Sequence, residues 1–226
     1  ASTGDFYLPN TSNTAASSGS GGLEIAAGTV NIEGDDTGII LDGLLRVSGG
    51  TLNMLDAVNN GNNFIEYSSS GNAQLELTSG NLSVGSQVRR ATTSTTGVLQ
   101  YLQSGGTAIF GRYAAPESSR GVFEVMNTGS SFTHTGGSFT IYQSNGSSTV
   151  PSLFLSPTSY SLSDASAINL GAEGTTLGQT MGLISDIPLN NLTIAQGSAG
   201  GSVLDLNVQL YGVPLVTDTL RIGGND

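Results

Sequence analysis

The sequence has no cysteine, no tryptophan and no lysine, and only 10% of its 226 residues are charged. Without cysteine the chain has no disulfide scaffold, no thiolate metal site and no cysteine nucleophile. Seventeen acidic residues against six arginines give a formal charge of −11, which disfavours nucleic acid as a partner because phosphate contacts need clustered cations. No segment approaches the ~20 apolar residues that span a bilayer. With 37% apolar residues and few charges, the composition still indicates an ordered fold.

Helix-favouring windows are also scarce, because Gly, Ser, Thr and Asn interrupt almost every stretch of the chain. What the sequence does have is a repeated unit, in which two apolar-x-apolar segments flank a bend at glycine. The unit occurs at 23–32, 45–54, 75–84 and 132–141. A second self-match aligns 97–105 with 121–129, and 153–157 looks like a more divergent third copy. Imperfect β repeats of this kind are typical of a solenoid.

The repeats predict an all-β chain folded as a right-handed parallel β-helix (β-solenoid) of about seven coils. Apolar residues of each copy face inward, and glycine supplies the positive φ of the corners. The positions between them face outward and are polar, namely Glu24, Arg46, Asn53, Glu76 and Ser83. An immunoglobulin-like sandwich remains an alternative, although it would not repeat itself so closely.

The composition changes at both ends of the chain. Residues 1–22 are mostly Ser, Thr, Asn and Gly, so we expect a loose lead-in. Residues 23–226 are expected to form a single solenoid, with longer strands from about residue 187 and loops projecting at 56–63 and 88–96. Because solenoids need capped ends, we expect the natural chain to continue beyond residue 226.

Three segments, at 79–90, 130–141 and 150–159, resemble very large secreted proteins of Bacteroidetes, and 187–194 is similar to their next strand block. The resemblance covers about residues 23–226. It implies an adhesin-like β-solenoid that is exported by the type IX secretion system and located at the cell surface or secreted. The partners that it implies are other domains of the same large chain and the export and surface-anchoring machinery.

Two sets of residues are candidates for a chemical role. His134 occupies an inward slot of its repeat, so we interpret it as a core histidine satisfied by hydrogen bonds, with a pH-sensitive or ligand role as the alternative. Asp35, Asp36 and Asp42 form an acidic, glycine-containing region that offers oxygen ligands for Ca²⁺. A solvated turn is the favoured interpretation of that region, and no other cofactor is expected.

The sequence offers little support for an enzyme. Polysaccharide lyases also use β-helices, but Arg89, Arg90, Arg112 and Arg120 share no segment with an acidic cluster, so we interpret them as surface charges on an acidic rod. No G-x-S-x-G motif occurs. We therefore expect no catalytic residues.

These observations predict a mechanical role, as a stalk or adhesin segment that presents other domains away from the cell and does not insert into a membrane. The alternative is a carbohydrate-binding adhesin. In that case Tyr101, Tyr113 and Tyr142, which lie near predicted corners, would contact surface glycans. Thr219, within Asp218-Thr219-Leu220, is a candidate for O-glycosylation through the same resemblance.

Overall fold

The computed structural model describes residues 6–8, 21–34, 37–55, 63–67, 72–93, 96–112, 118–172, 179–195, 207–210 and 216–223. Its regular structure in these ranges consists of strands, as the alternating apolar pattern predicts. In chain order the strands are β1 (Phe6–Leu8), β2 (Gly22–Ile25), β3 (Thr29–Ile32), β4 (Gly38–Leu41), β5 (Leu44–Val47), β6 (Thr51–Met54), β7 (Phe64–Tyr67), β8 (Asn72–Leu77), β9 (Asn81–Val84), β10 (Val88–Arg90), β11 (Val98–Gln103), β12 (Thr107–Phe110), β13 (Phe123–His134), β14 (Ser138–Ile141), β15 (Leu153–Leu162), β16 (Ala167–Leu170), β17 (Thr180–Ser185), β18 (Leu189–Ala195), β19 (Asn207–Leu210) and β20 (Val216–Gly223). No helix in the described ranges is long and apolar enough to cross a membrane.

The turns of the chain place strands on up to three sides, and strands of neighbouring turns on the same side pair in parallel. Side I contains β1, β4, β7, β10, β17, β19 and the first halves of β13 and β15. Side II contains β2, β5, β8, β11 and the second halves of β13 and β15. Side III contains β3, β6, β9, β12, β14, β16, β18 and β20. The molecule is therefore a parallel β-solenoid, which confirms the predicted fold class.

The core consists of rows of inward side chains that run from turn to turn. On side II, Leu45, Leu75, Tyr101 and Phe132 occupy successive positions of one row, and each is at most 1% exposed. Between Gly38 and Leu170 the solenoid completes about five turns, a count slightly different from the seven expected for residues 23–226. Strands β1, β2 and β3 pair with the first of these turns, and β17 and β18 pair with the last.

The corner between sides II and III is a second continuous feature. Gly28, Gly80, Gly106 and Gly137 lie there with φ between 72° and 85°. The residue after Gly80, Gly106 and Gly137 in each case bonds to the turn before, as when the N–H of Thr107 donates to the Gly80 carbonyl at 2.9 Å. The predicted glycine bends are thus confirmed, and they also allow the backbones of neighbouring turns to approach closely.

In the described part of the chain, side II ends with β15, two turns before side I ends with β19 and side III ends with β20. In the fifth turn the chain takes twelve residues from Leu155 on side I to Ala167 on side III. In the next turn Ser185 pairs with Leu155 and Asn191 pairs with Ala167, but the chain takes only six residues between these two positions. The second half of β15 is consequently left as an edge strand.

Two expectations about loops need correction. The predicted loop 88–96 begins with strand β10, because Val88 faces the core and is fully buried. The predicted lead-in also contains a strand, β1, paired with β4. Residues 56–62, most of the other predicted loop, lie outside the described residues.

Candidate functional site

Side I brings five ionic side chains together in an arrangement that we call the Arg–Glu cluster, comprising Glu66, Arg89, Arg90, Arg120 and Glu124. Glu66 on β7 accepts from Arg89 at 3.2 Å and from Arg120 at 3.3 Å. Glu124 on β13 accepts from Arg90 at 3.0 Å. The arginine side chains are only 8–11% exposed, so the cluster is a buried ionic network.

Glu124 has both carboxylate oxygens engaged. One oxygen accepts from the Arg90 Nε, and the other accepts from the Gly121 backbone N–H at 2.7 Å. Its side chain is 1% exposed. General acid–base catalysis needs a carboxylate within reach of a substrate proton, so the position of Glu124 favours a structural role.

Arg120 stabilises the corner that precedes β13 through hydrogen bonds to the backbone and side chains of other turns. Its guanidinium donates to the backbone carbonyls of Arg90 and Ala91, while its own carbonyl accepts from the side chains of Gln87 and Asn145. Arg89 also lies over the ring of Phe64, with 4.1 Å between guanidinium carbon and ring centroid. The sequence-based interpretation of Arg89, Arg90 and Arg120 as surface charges is therefore wrong. The signal that it missed is the third strand of each turn, which places Arg89 beside Glu66.

A shallow groove of about 110 Å³ lies on the outer surface of side II. Its walls are Gln74, Glu76, Gln100, Tyr101, Leu102, Ser131 and Thr133. Glu76 is its one carboxylate, and this group is paired with Arg46 at 2.6 Å. A groove lined by amides, hydroxyls and a single paired carboxylate lacks the two carboxylates of a typical glycosidase, but it can exchange hydrogen bonds with a polar ligand.

The tyrosines predicted at exposed corners are placed differently. Tyr101 is 1% exposed and belongs to the inward row, where it stacks on Phe132 with 5.3 Å between ring centroids. Burial raises its pKa well above the usual value, and its hydroxyl donates to Gln103 at 2.8 Å. Tyr142 is 7% exposed beneath the Arg112 guanidinium. Their predicted exposure is wrong because both rings pack in the protein, and Tyr113 lies outside the described residues.

His134 does occupy an inward slot, following Leu77 and Gln103 in its row, and it is fully buried. Neither ring nitrogen has a hydrogen-bond partner, so the expectation of a satisfied histidine is wrong on that point. Burial lowers the pKa of His134 to about 4. The backbone of Gly137 lies near the ring and raises the pKa, but this effect is smaller than that of burial, and no hydrogen bond of normal geometry forms between them. The imidazole is therefore neutral at pH 7.

This buried imidazole predicts a loss of stability in mild acid. The unfolded chain protonates His134 near pH 6.5, whereas the folded chain does so only near pH 4. The contribution of neutral His134 is complete above pH 6.5 and is lost as the pH falls through about 4, to a total of roughly 3 kcal/mol. We expect urea unfolding between pH 7 and 4 to show a steeper loss for the native chain than for His134→Leu. Parallel pH profiles of the two proteins would contradict the assignment.

The remaining candidates are only partly described. Asp42 is 7% exposed between β4 and β5, whereas Asp35 and Asp36 lie outside the described residues. Within the ranges that are described, no three His, Asp or Glu side chains form a group able to hold a metal ion. Calcium binding stays a prediction. Thr219 is exposed on β20, and its glycosylation also stays a prediction.

The comparisons with known proteins add no relative to this description. No protein-family model matches the sequence, and searches of curated proteins and of solved structures found no similar protein.

Proposed function

We propose that the chain is a structural stalk or adhesin segment of a very large bacterial cell-surface or secreted protein, where it holds other domains away from the cell. The observation that carries this proposal is the uninterrupted stacking of inward rows through about five turns. Each turn contacts mainly the turns beside it, so the chain is a rod whose length grows with the number of turns.

The ionic chemistry supports the same role. The Arg–Glu cluster, with three of the six arginines of the chain, pairs its charges internally and ties the corner before β13 to β7 and β10. On the outer surface of side II, Arg46 bridges Glu76 at 2.6 Å and Glu24 at 3.9 Å across three turns. These contacts join turns to one another, which is the requirement for stiffness along the axis.

The proposal includes an extracellular location, partners among other domains of the same large chain, and export by the type IX machinery, all through the resemblance to secreted Bacteroidetes proteins. It includes no catalytic activity and no cofactor. Antibodies raised against the chain and applied to intact cells test the location, since a stalk must be reachable without permeabilising the cell.

A stalk must stay folded under load, which gives a direct mechanical prediction. With the chain held between two folded handle domains in an optical trap, we expect it to keep its length as force rises and then to open in steps of about one turn. The physical reason is that each turn is held by the parallel strand pairs and side-chain rows of its neighbours. Opening in one step at a force below that of the handles would contradict the stalk.

The open groove on side II favours a second candidate function, carbohydrate binding. Gln74 and Gln100 lie one turn apart, 3.5 Å between amide nitrogen and oxygen, and offer donors and acceptors suited to sugar hydroxyls. A glycan array tests this function. Binding that Gln100→Ala abolishes and Asn53→Ala, an outward change on side III, leaves intact would support an adhesin, and a blank array would support a pure stalk.

A further inference from the structure

The second half of β15 is an edge strand with an exposed aromatic residue. Tyr160 is 51% exposed, and Thr158, Ser159 and Ser161 are exposed as well. On one side these residues pair with β13, from Ser131↔Ser159 to His134↔Leu162. On the other side no strand in the described part of the chain pairs with them, since β17 pairs only with Leu153–Leu155.

The exposure of Tyr160 follows from the shortened sixth turn and not from an outward orientation. Tyr160 continues the inward row of Tyr101 and Phe132, both of which are at most 1% exposed. The next turn leaves side I at Ser185 and reaches side III without a side II strand, so nothing in it covers the row. Among the described residues, the upper surface of β15 on side II is thus uncovered, in agreement with the 51% exposure of Tyr160.

The edge itself is suited to strand addition. A parallel edge strand presents alternate backbone N–H and C=O groups to the solvent, and natural proteins usually block such edges with charges or proline. Thr158 to Leu162 contains no charged residue, and the one proline, Pro157, lies just before it. The open stretch therefore begins after Pro157 and is about five residues long.

We propose that this edge binds an extended peptide strand from a partner protein, which adds to side II in parallel with β15 and places an apolar or aromatic side chain over Tyr160. The occupant is defined by the side II strands that the chain itself supplies. In β11 the residues Gln100, Tyr101, Leu102 and Gln103 lie in register with Ser131 to His134, and those lie in register with Ser159 to Leu162. Main-chain hydrogen bonds provide affinity in this mode, and the alternating side chains provide specificity.

The test uses a fluorescent peptide with the sequence of residues 97–104, which contains the whole of β11, and the intact 226-residue chain. Fluorescence anisotropy should show saturable binding, and a peptide of the same composition in scrambled order should bind at least tenfold more weakly. Hydrogen exchange of the mixture should show slower exchange at Ser159 to Leu162 and not elsewhere on side II.

Two variants distinguish binding at this edge from nonspecific binding of the peptide. Tyr160→Glu should reduce peptide binding at least tenfold, whereas Leu220→Glu, which changes the other large exposed apolar residue of the described chain (52% exposed), should leave it within twofold. Both positions lie at exposed edges, so both variants should keep the β-type circular dichroism of the native chain. Equal loss in the two variants, equal binding of the scrambled peptide, or self-association of the chain through this edge without peptide binding would overturn the proposal.

Discussion

Gly106→Ala is expected to destabilise the protein by roughly 3 kcal/mol, because the added methyl group would press against the backbone of the turn below. Gly106 has φ of +73°, and a Cβ there would meet the Gly80 carbonyl oxygen of the turn below at 2.6 Å. That oxygen also accepts the N–H of Thr107 at 2.9 Å, so the turns would have to separate and weaken this bond. Backbone strain of ~1–2 kcal/mol adds to the steric cost of ~1–3 kcal/mol.

Gly28 provides a control with the same backbone conformation but no close neighbour. Its φ is +72°, and an added Cβ would meet nothing within 4 Å. Gly28→Ala should therefore cost only the backbone strain of ~1–2 kcal/mol. Urea unfolding at pH 7 measures both variants. If the two substitutions reduce the free energy of unfolding equally, contact between turns does not determine which residue fits at Gly106. That result would contradict the close approach of the turns at this corner.

The sequence predicted sides II and III from physical regularities. The four copies of the repeat fall in exact register in the structure, with Leu23, Leu45 and Leu75 in one row and Val30, Leu52 and Leu82 in another. Apolar alternation locates such strands because one face of each must be buried, and glycine locates the corner because φ is positive there. A further copy, residues 101–110, departs from the apolar-x-apolar pattern because the polar residue Gln103 occupies an inward slot.

Side I could not be predicted in the same way. Its strands are short and lie between segments of variable length, and the match of 97–105 to 121–129 aligned a side II strand with the side I half of β13. In the structure Tyr101 pairs with Phe132, 31 residues later, and Val125 pairs instead with Leu155. Because side I was missed, nothing in the sequence placed Arg90 beside Glu124, and a buried ion pair between distant segments leaves no periodic pattern.

The open edge at Tyr160 illustrates another limit of sequence reasoning. Tyr160 has the alternation of an inward residue, and its local sequence does not differ from that of a covered strand. Its exposure depends on the next turn, in which the chain passes from Ser185 to Asn191 without forming a side II strand. An edge is a property of the neighbouring turn, so it becomes visible only when the pairing is known.

Glu124→Ala is expected to cost about 3–5 kcal/mol, because it removes one partner of a buried ion pair. The substitution would leave the Arg90 guanidinium and the Gly121 N–H without their carboxylate in a site where the side chain is 1% exposed. A buried charge that loses its partner keeps its full desolvation cost, which is why such truncations destabilise far more than the pair itself stabilises. Glu124→Gln keeps the volume and one acceptor, so an intermediate loss is expected from it.

Glu76→Ala is the matched control, since it removes the same side chain from a pair that is closer but more exposed. Glu76 meets Arg46 at 2.6 Å, yet the two side chains are 20% and 36% exposed. Pairs of this kind contribute ~0–1 kcal/mol, since water replaces the lost partner. Chemical unfolding measures the loss of stability in both variants. A small loss for Glu124→Ala, comparable with that for Glu76→Ala, would mean that water reaches the Arg–Glu cluster, and the cluster would then not be what ties side I together.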